Sequence, residues 1–92
     1  MSWKSFLNYN LLFDDKVKKD LKKIDKLWQK KIIQAIKEKL IENPHGGKKL
    51  VGNLSPYYRL RVQDYRVIYE INDEEIVVIV VKIKHRKDVY EQ

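Results

Sequence analysis

The chain has no cysteine. Disulfides and thiolate zinc sites are therefore excluded, and the absence suits a reducing compartment. Histidine is nearly as scarce: with only His45 and His85 present, neither a metal site nor a cofactor site is expected. Glycine and proline are few, three and two residues, and every glycine lies with Pro44 in the segment ENPHGGKKLVGN, Glu42 to Asn53. That segment is the one clear loop, because these residues interrupt both helix and strand. No run of about 18 apolar residues occurs, the length a membrane-spanning helix needs. The opening MSWKSFLNYN lacks an apolar core behind basic residues and a small-residue cleavage site. A soluble cytoplasmic protein without a membrane partner is expected.

What remains is charged and aromatic. Charged residues make up 36% and hydrophobic ones 43% of the chain, with two Trp, six Tyr and two Phe, a balance too apolar for disorder. Ninety-two residues suit a single domain, 1–92, since a second core would have too little chain to fill it. The net charge of +7 favours a polyanionic partner, RNA, DNA or an acidic protein segment, without choosing among them.

The hydrophobic period changes once along the chain. YNLLF, Tyr9 to Phe13, has strand length, and Asp14 and Asp15 are good residues to start a helix. Val17, Leu21, Ile24 and Trp28 recur at helical spacing. Asp25 marks a break, after which Trp28, Ile32, Ala35, Ile36 and Leu40 form a second stripe that Pro44 ends. The many lysines of the first helix read as a solvated face, or alternatively as an attraction to a polyanion. Beyond the loop the period becomes two. Strands are expected over Tyr57–Val62, Tyr65–Ile71 and Glu75–Ile83, the last nearly continuous Ile and Val as for a central strand buried on both faces. The order is β-α-α-β-β-β, an α+β sandwich with two antiparallel helices on one face of a small, mainly antiparallel sheet.

Strand alternation puts Arg59 and Arg61 on one face, and Tyr58, Leu60 and Val62 on the other. A tight turn at Gln63-Asp64 would set Arg61 opposite Arg66 and Leu60 opposite Val67, although Gln-Asp is a poor hairpin turn and a shifted register stays open. Like charges directly opposite destabilise a sheet by up to about 1 kcal/mol. Either these arginines pair on a solvated face with Asp64 or Glu70, or they form an anion site, for which the planar guanidinium fork is suited. The segment KIKHRKDVYEQ adds Lys82, Lys84, His85, Arg86 and Tyr90 just beyond. Singly, such residues are more often ordinary polar or packing groups.

Four segments, KKDLKKID, ENPHGGKKLVGNL, YYRLRVQDYRVIYEI and HRKDVY, together resemble the RelE/ParE superfamily of bacterial and archaeal toxin–antitoxin modules, specifically its RelE branch, over Tyr9 to Tyr90. The resemblance implies a ribosome-dependent, metal-independent endoribonuclease that cuts messenger RNA in the A site, through attack of the ribose 2′-hydroxyl on the adjacent phosphate. It implies a RelB-like antitoxin as partner, and operator DNA bound only by the toxin–antitoxin complex. By position it assigns Arg59 and Arg61 to the phosphate and the 2′-hydroxyl and Arg66 to transition-state charge, and it matches Arg86 to the family's second important arginine. Tyr90 is assigned to base stacking or proton transfer, and His85 to an auxiliary acid or base. Lys48, Lys49, Lys82 and Lys84 become candidate RNA contacts. Some relatives carry Lys where this chain has Arg59 or Arg61, and Arg is much the poorer proton acceptor. The alternatives are a ParE-like toxin that binds DNA gyrase without cutting RNA, or a catalytically weak relative that acts in antitoxin binding and operon repression.

Overall fold

The computed structural model describes residues 8–52 and 56–89. Strand β1 (Asn10–Phe13) leads into helix α1 (Asp15–Lys22). Asp14 caps that helix, its Oδ1 accepting from the Lys16 N–H at 3.2 Å. Asp25 does the same for α2 (Lys26–Leu40), accepting from the Leu27 N–H at 3.2 Å, so the break at Asp25 is a second helix start. The Gln29 amide donates to the carbonyls of Leu21 and Ile24 at 2.6 and 2.8 Å, which satisfies two of the acceptors left at the end of α1.

Helix α2 stops ahead of Pro44, which opens a 3₁₀ turn over Pro44–Gly46. The expected loop then contains an additional short strand, β2 (Lys48–Lys49), so the order is β-α-α-β-β-β-β with a last short helix. The remaining elements are β3 (Tyr58–Val62), β4 (Tyr65–Asn72), β5 (Val77–His85) and α3 (Arg86–Val89). The sheet runs β1-β5-β4-β3-β2, with β1 parallel to β5 and the other pairs antiparallel. The register expected for the Gln63-Asp64 turn is the observed one: Arg61 faces Arg66 and Leu60 faces Val67. Gln63 takes a φ of +55° to make it.

Val17 of α1 and Ile32, Ile36 and Leu40 of α2 pack on Leu60, Val67, Tyr69, Val78, Val80 and Ile83, which forms the core. The helices cover one face of the sheet only. The expectation that the last strand is buried on both faces is corrected here, although β5 does lie inside the sheet, between β1 and β4. Strand β4 occupies the middle of the sheet, and Val77, Ile79 and Val81 of β5 are only half-buried. The surplus of apolar residues on β5 lies on the open face.

Candidate nucleic-acid interface

The open face is built from alternate residues of four strands. Strand pairing aligns Lys48, Arg59, Ile68 and Lys82 in one row across β2, β3, β4 and β5, and Arg61, Arg66 and Lys84 in the next. Rows on one face of a strand are separated by roughly 7 Å. A bulge in β5 adds to this: Ile68 faces Lys82 whereas Tyr69 faces Val80, which leaves Val81 as an extra residue. Val80 and Ile83 thus both stay in the core while Val81 and Lys82 both reach the open face.

Of these residues, Arg59, Arg66, Ile68, Val81, Lys82 and Lys84 line a cleft of about 380 Å³ together with Asp14, Lys16, Leu50 and Tyr57. Its floor is apolar, from Ile68 and Val81, and its walls carry Lys16, Arg59, Arg66, Lys82 and Lys84 against the single carboxylate of Asp14. Among the described residues, ion pairs join Lys18 to Asp15 and Arg86 to Asp64, His45 contacts Asp73, and none of these involves a cation of the cleft. Among the described residues Asp64 pairs with Arg86 and Glu70 makes no ion pair, so neither is paired with the arginines of the sheet. The Nε of Arg59 is buried and has no hydrogen-bond partner. A buried donor without an acceptor costs about 1–3 kcal/mol. Permanent charges held side by side with a free donor favour an anion that brings several oxygens.

Of the residues singled out in the sequence, Arg59, Arg66, Lys82 and Lys84 are brought together in the cleft, with Arg61 and Lys48 beside them by register. Lys49 pairs with Tyr58 and so belongs to the helix-covered face. Arg86 lies outside the cleft: its N–H donates to the Asp64 carbonyl at 2.6 Å and its guanidinium stands 3.9 Å from the Asp64 carboxylate. His85 is also turned away. It pairs with Tyr65, a core-side residue, and its ring meets the Tyr65 ring edge-on at 5.0 Å. Its Nδ1 accepts from the Lys87 N–H at 3.2 Å. Tyr90 falls outside the described residues. Sequence reading missed Asp14, Lys16, Leu50, Ile68 and Val81. Tyr57 shares the alternation of Arg59 and Arg61 and was legible, whereas Val81 depends on the bulge and Asp14 on where β1 ends.

A sequence model described as the ParE toxin of type II toxin–antitoxin systems matches residues 11–90. The chain belongs to this toxin family. A RelE-like toxin protein of Escherichia coli is 28% identical over 88 residues, covering 91% of this chain and 92% of the relative. Toxin RelG of Mycobacterium tuberculosis is 28% identical over 83 residues, covering 89% and 95%. Among solved structures, the RelBE2 toxin–antitoxin complex of M. tuberculosis matches with a TM-score of 0.82 at 26% identity, over 86% of this chain and 92% of that one. The archaeal RelE–RelB complex of Pyrococcus horikoshii gives 0.72 at 28% identity, over 86% and 96%. The toxin is thus RelE-like within a toxin–antitoxin module.

The toxin's second polar cluster lies among the segments around Tyr9, His45, Tyr58 and Asp73. Asp73 Oδ1 accepts from the Tyr9 hydroxyl at 2.7 Å and from His45 Nε2 at 2.9 Å. With that proton on Nε2, the Nδ1 of His45 accepts from the Tyr58 hydroxyl at 3.3 Å. The hydrogen bond from His45, followed by that from Tyr9, holds the Asp73 carboxyl below its ordinary range, and the bond to Asp73 raises the Tyr9 phenol. Tyr69 stacks on Tyr58 and donates to the Pro44 carbonyl at 2.6 Å, and burial pushes its phenol up to about 12. Gly47 passes so close that a Cβ there would fall 2.0 Å from the Tyr69 hydroxyl and 2.9 Å from the Arg59 carbonyl. This clasp fastens β1, the loop and the β4–β5 turn together.

Proposed function

We propose that the toxin is a metal-independent endoribonuclease of the cytoplasm that cleaves messenger RNA in the ribosomal A site and is neutralised by a RelB-like antitoxin. The observation that carries this reading is the cleft, where Arg59, Arg66, Lys82 and Lys84 converge over an apolar floor with no carboxylate partner among the described residues. In the reaction, the ribose 2′-oxygen forms a bond to the adjacent phosphorus as the bond from phosphorus to the 5′-oxygen breaks. A cyclic phosphate and a free 5′-hydroxyl result. The negative charge that builds on the phosphorane oxygens sits among cations already in place, so little reorganisation is needed as it develops. The ribosome supplies the alignment of the attacking hydroxyl. Arg61 stands beside Arg66 as further charge, while the antitoxin complex, not the toxin alone, binds operator DNA. Relatives solved as toxin–antitoxin complexes support the antitoxin partner.

The test is messenger RNA on programmed ribosomes incubated with the purified toxin. Cuts within the A-site codon, carrying cyclic phosphate ends, are the expected result, and intact messenger overturns the reading. A second reading follows from the family description itself, which names ParE. It predicts inhibition of DNA gyrase with messenger left whole, and a supercoiling assay run beside the ribosomal one separates the two.

A further inference from the structure

The cleft is polar in an uneven way, and the unevenness follows the strand order. Arg59 belongs to β3, Arg66 and Ile68 to β4, Val81 to β5, and Asp14 follows β1 at the opposite side. Neighbouring strands are about 4.8 Å apart, so the Arg59 and Asp14 backbones are separated by roughly 14 Å, with Ile68 and Val81 between them. One molecule filling the cleft therefore meets guanidinium groups at one end, the apolar surface of Ile68 and Val81 in the middle and, at the other end, one carboxylate acceptor, Asp14, with Lys16, Lys82 and Lys84 around it.

Asp14 is fixed in this place. Its N–H donates to the Val80 carbonyl at 3.0 Å, and its Oδ1 caps α1. A carboxylate offers about four acceptor positions, so capping leaves most of them for the cleft. It makes no ion pair among the described residues. What it attracts is an N–H donor at the edge of a flat apolar group, and the exocyclic amine of a nucleobase is such a donor. Uracil, with a carbonyl in place of the amine of cytosine, sets oxygen against oxygen.

We propose that the Asp14 end of the cleft is a nucleobase subsite, in which a base lies on Ile68 and Val81 and presents an exocyclic amino group to the Asp14 carboxylate. The subsite rests on the RNA-cleaving reading and gives it a specificity: cytosine over uracil at one position. The two pyrimidines have nearly the same size and stacking area, so a difference between them reports the acceptor.

The experiment is equilibrium binding of fluorescently labelled trinucleotides, CCC and UUU, both 2′-O-methylated so that neither can be cut, to the full-length toxin at fixed salt. Wild type is expected to bind CCC about fivefold or more tightly than UUU, as one good base contact is worth about 1 kcal/mol or more. Asp14→Asn keeps the helix cap, since Asn caps as well as Asp. Its amide both donates and accepts, so the expected result is a CCC to UUU ratio near one with an unchanged melting temperature. Ile68→Ala should weaken both trinucleotides together. Equal binding of CCC and UUU by wild type, or a preference that survives Asp14→Asn, overturns the subsite. Failure of wild type to bind either trinucleotide or cut messenger on ribosomes overturns the RNA reading instead.

Discussion

The toxin has two polar clusters, and they differ in how their charges are satisfied. In the clasp, Asp73 accepts from Tyr9 and His45, His45 in turn meets Tyr58, and Tyr69 donates to Pro44. In the cleft, the cations of β3, β4 and β5 have no carboxylate partner, and Arg59 Nε no acceptor, among the described residues. Satisfied groups hold a structure together. Unsatisfied ones of a single sign add no such stability and leave a face open to an anion. His45 thus belongs to the fold, and His85, expected as an auxiliary acid or base, meets Tyr65 edge-on on the helix-covered side of the sheet, away from the cleft.

The comparison predicts that substitutions in the two clusters separate stability from activity. The largest effect should come from Tyr69→Ala at the clasp, which empties a fully buried site. Loss of about 3–5 kcal/mol is expected in urea unfolding. At the cleft, Arg66→Gln should lower messenger cleavage on ribosomes by about 10²–10³-fold, the usual effect of removing one stabilising group from a transition state. Its unfolding free energy should stay level or rise by a few tenths of a kcal/mol, because Arg61 directly opposite loses a like charge. A marked loss of stability would place Arg66 in the fold and erase the distinction.

Gly47→Ala forces a methyl group against Tyr69 and the Arg59 backbone, and about 1–3 kcal/mol of destabilisation by the same urea assay is expected. Ile76, in the turn beside Asp73, has a φ of +55°, rare for a β-branched residue. Ile76→Gly should relieve that strain and gain up to about 1 kcal/mol, less the extra freedom glycine has when unfolded. The smallest effect is on acid stability. The Asp73 carboxyl is lowered in the folded protein, so its contribution is present above the ordinary carboxylate range and is lost as pH falls through the lowered folded value. Melting temperature followed from neutral to acid pH should decline less steeply in Asp73→Asn than in wild type.

Much of this was legible in the sequence. Asp14 and Asp25 announced the helix starts, the helical stripes supplied the core residues of α1 and α2, and matching Leu60 with Val67 set the register that puts Arg61 opposite Arg66. Local rules sufficed there because caps, periods and tight turns depend on a few adjacent residues. The Ile and Val run of β5 misled, since an apolar residue reads alike in a core and on the floor of a cleft. His85 was expected just beyond a strand ending at Ile83, whereas β5 continues through it and the pairing with Tyr65 turns it to the helix-covered face.

By itself, then, the sequence determined the layers: which faces of which elements are apolar, where each begins, and that three arginines share the uncovered side. Only the tertiary structure decided which charges meet. Strand order brings Asp14, from before the first helix, to the end of a cleft whose arginines lie more than forty residues later. Periodicity is a property of neighbours along the chain, whereas a binding site is made by neighbours across the sheet.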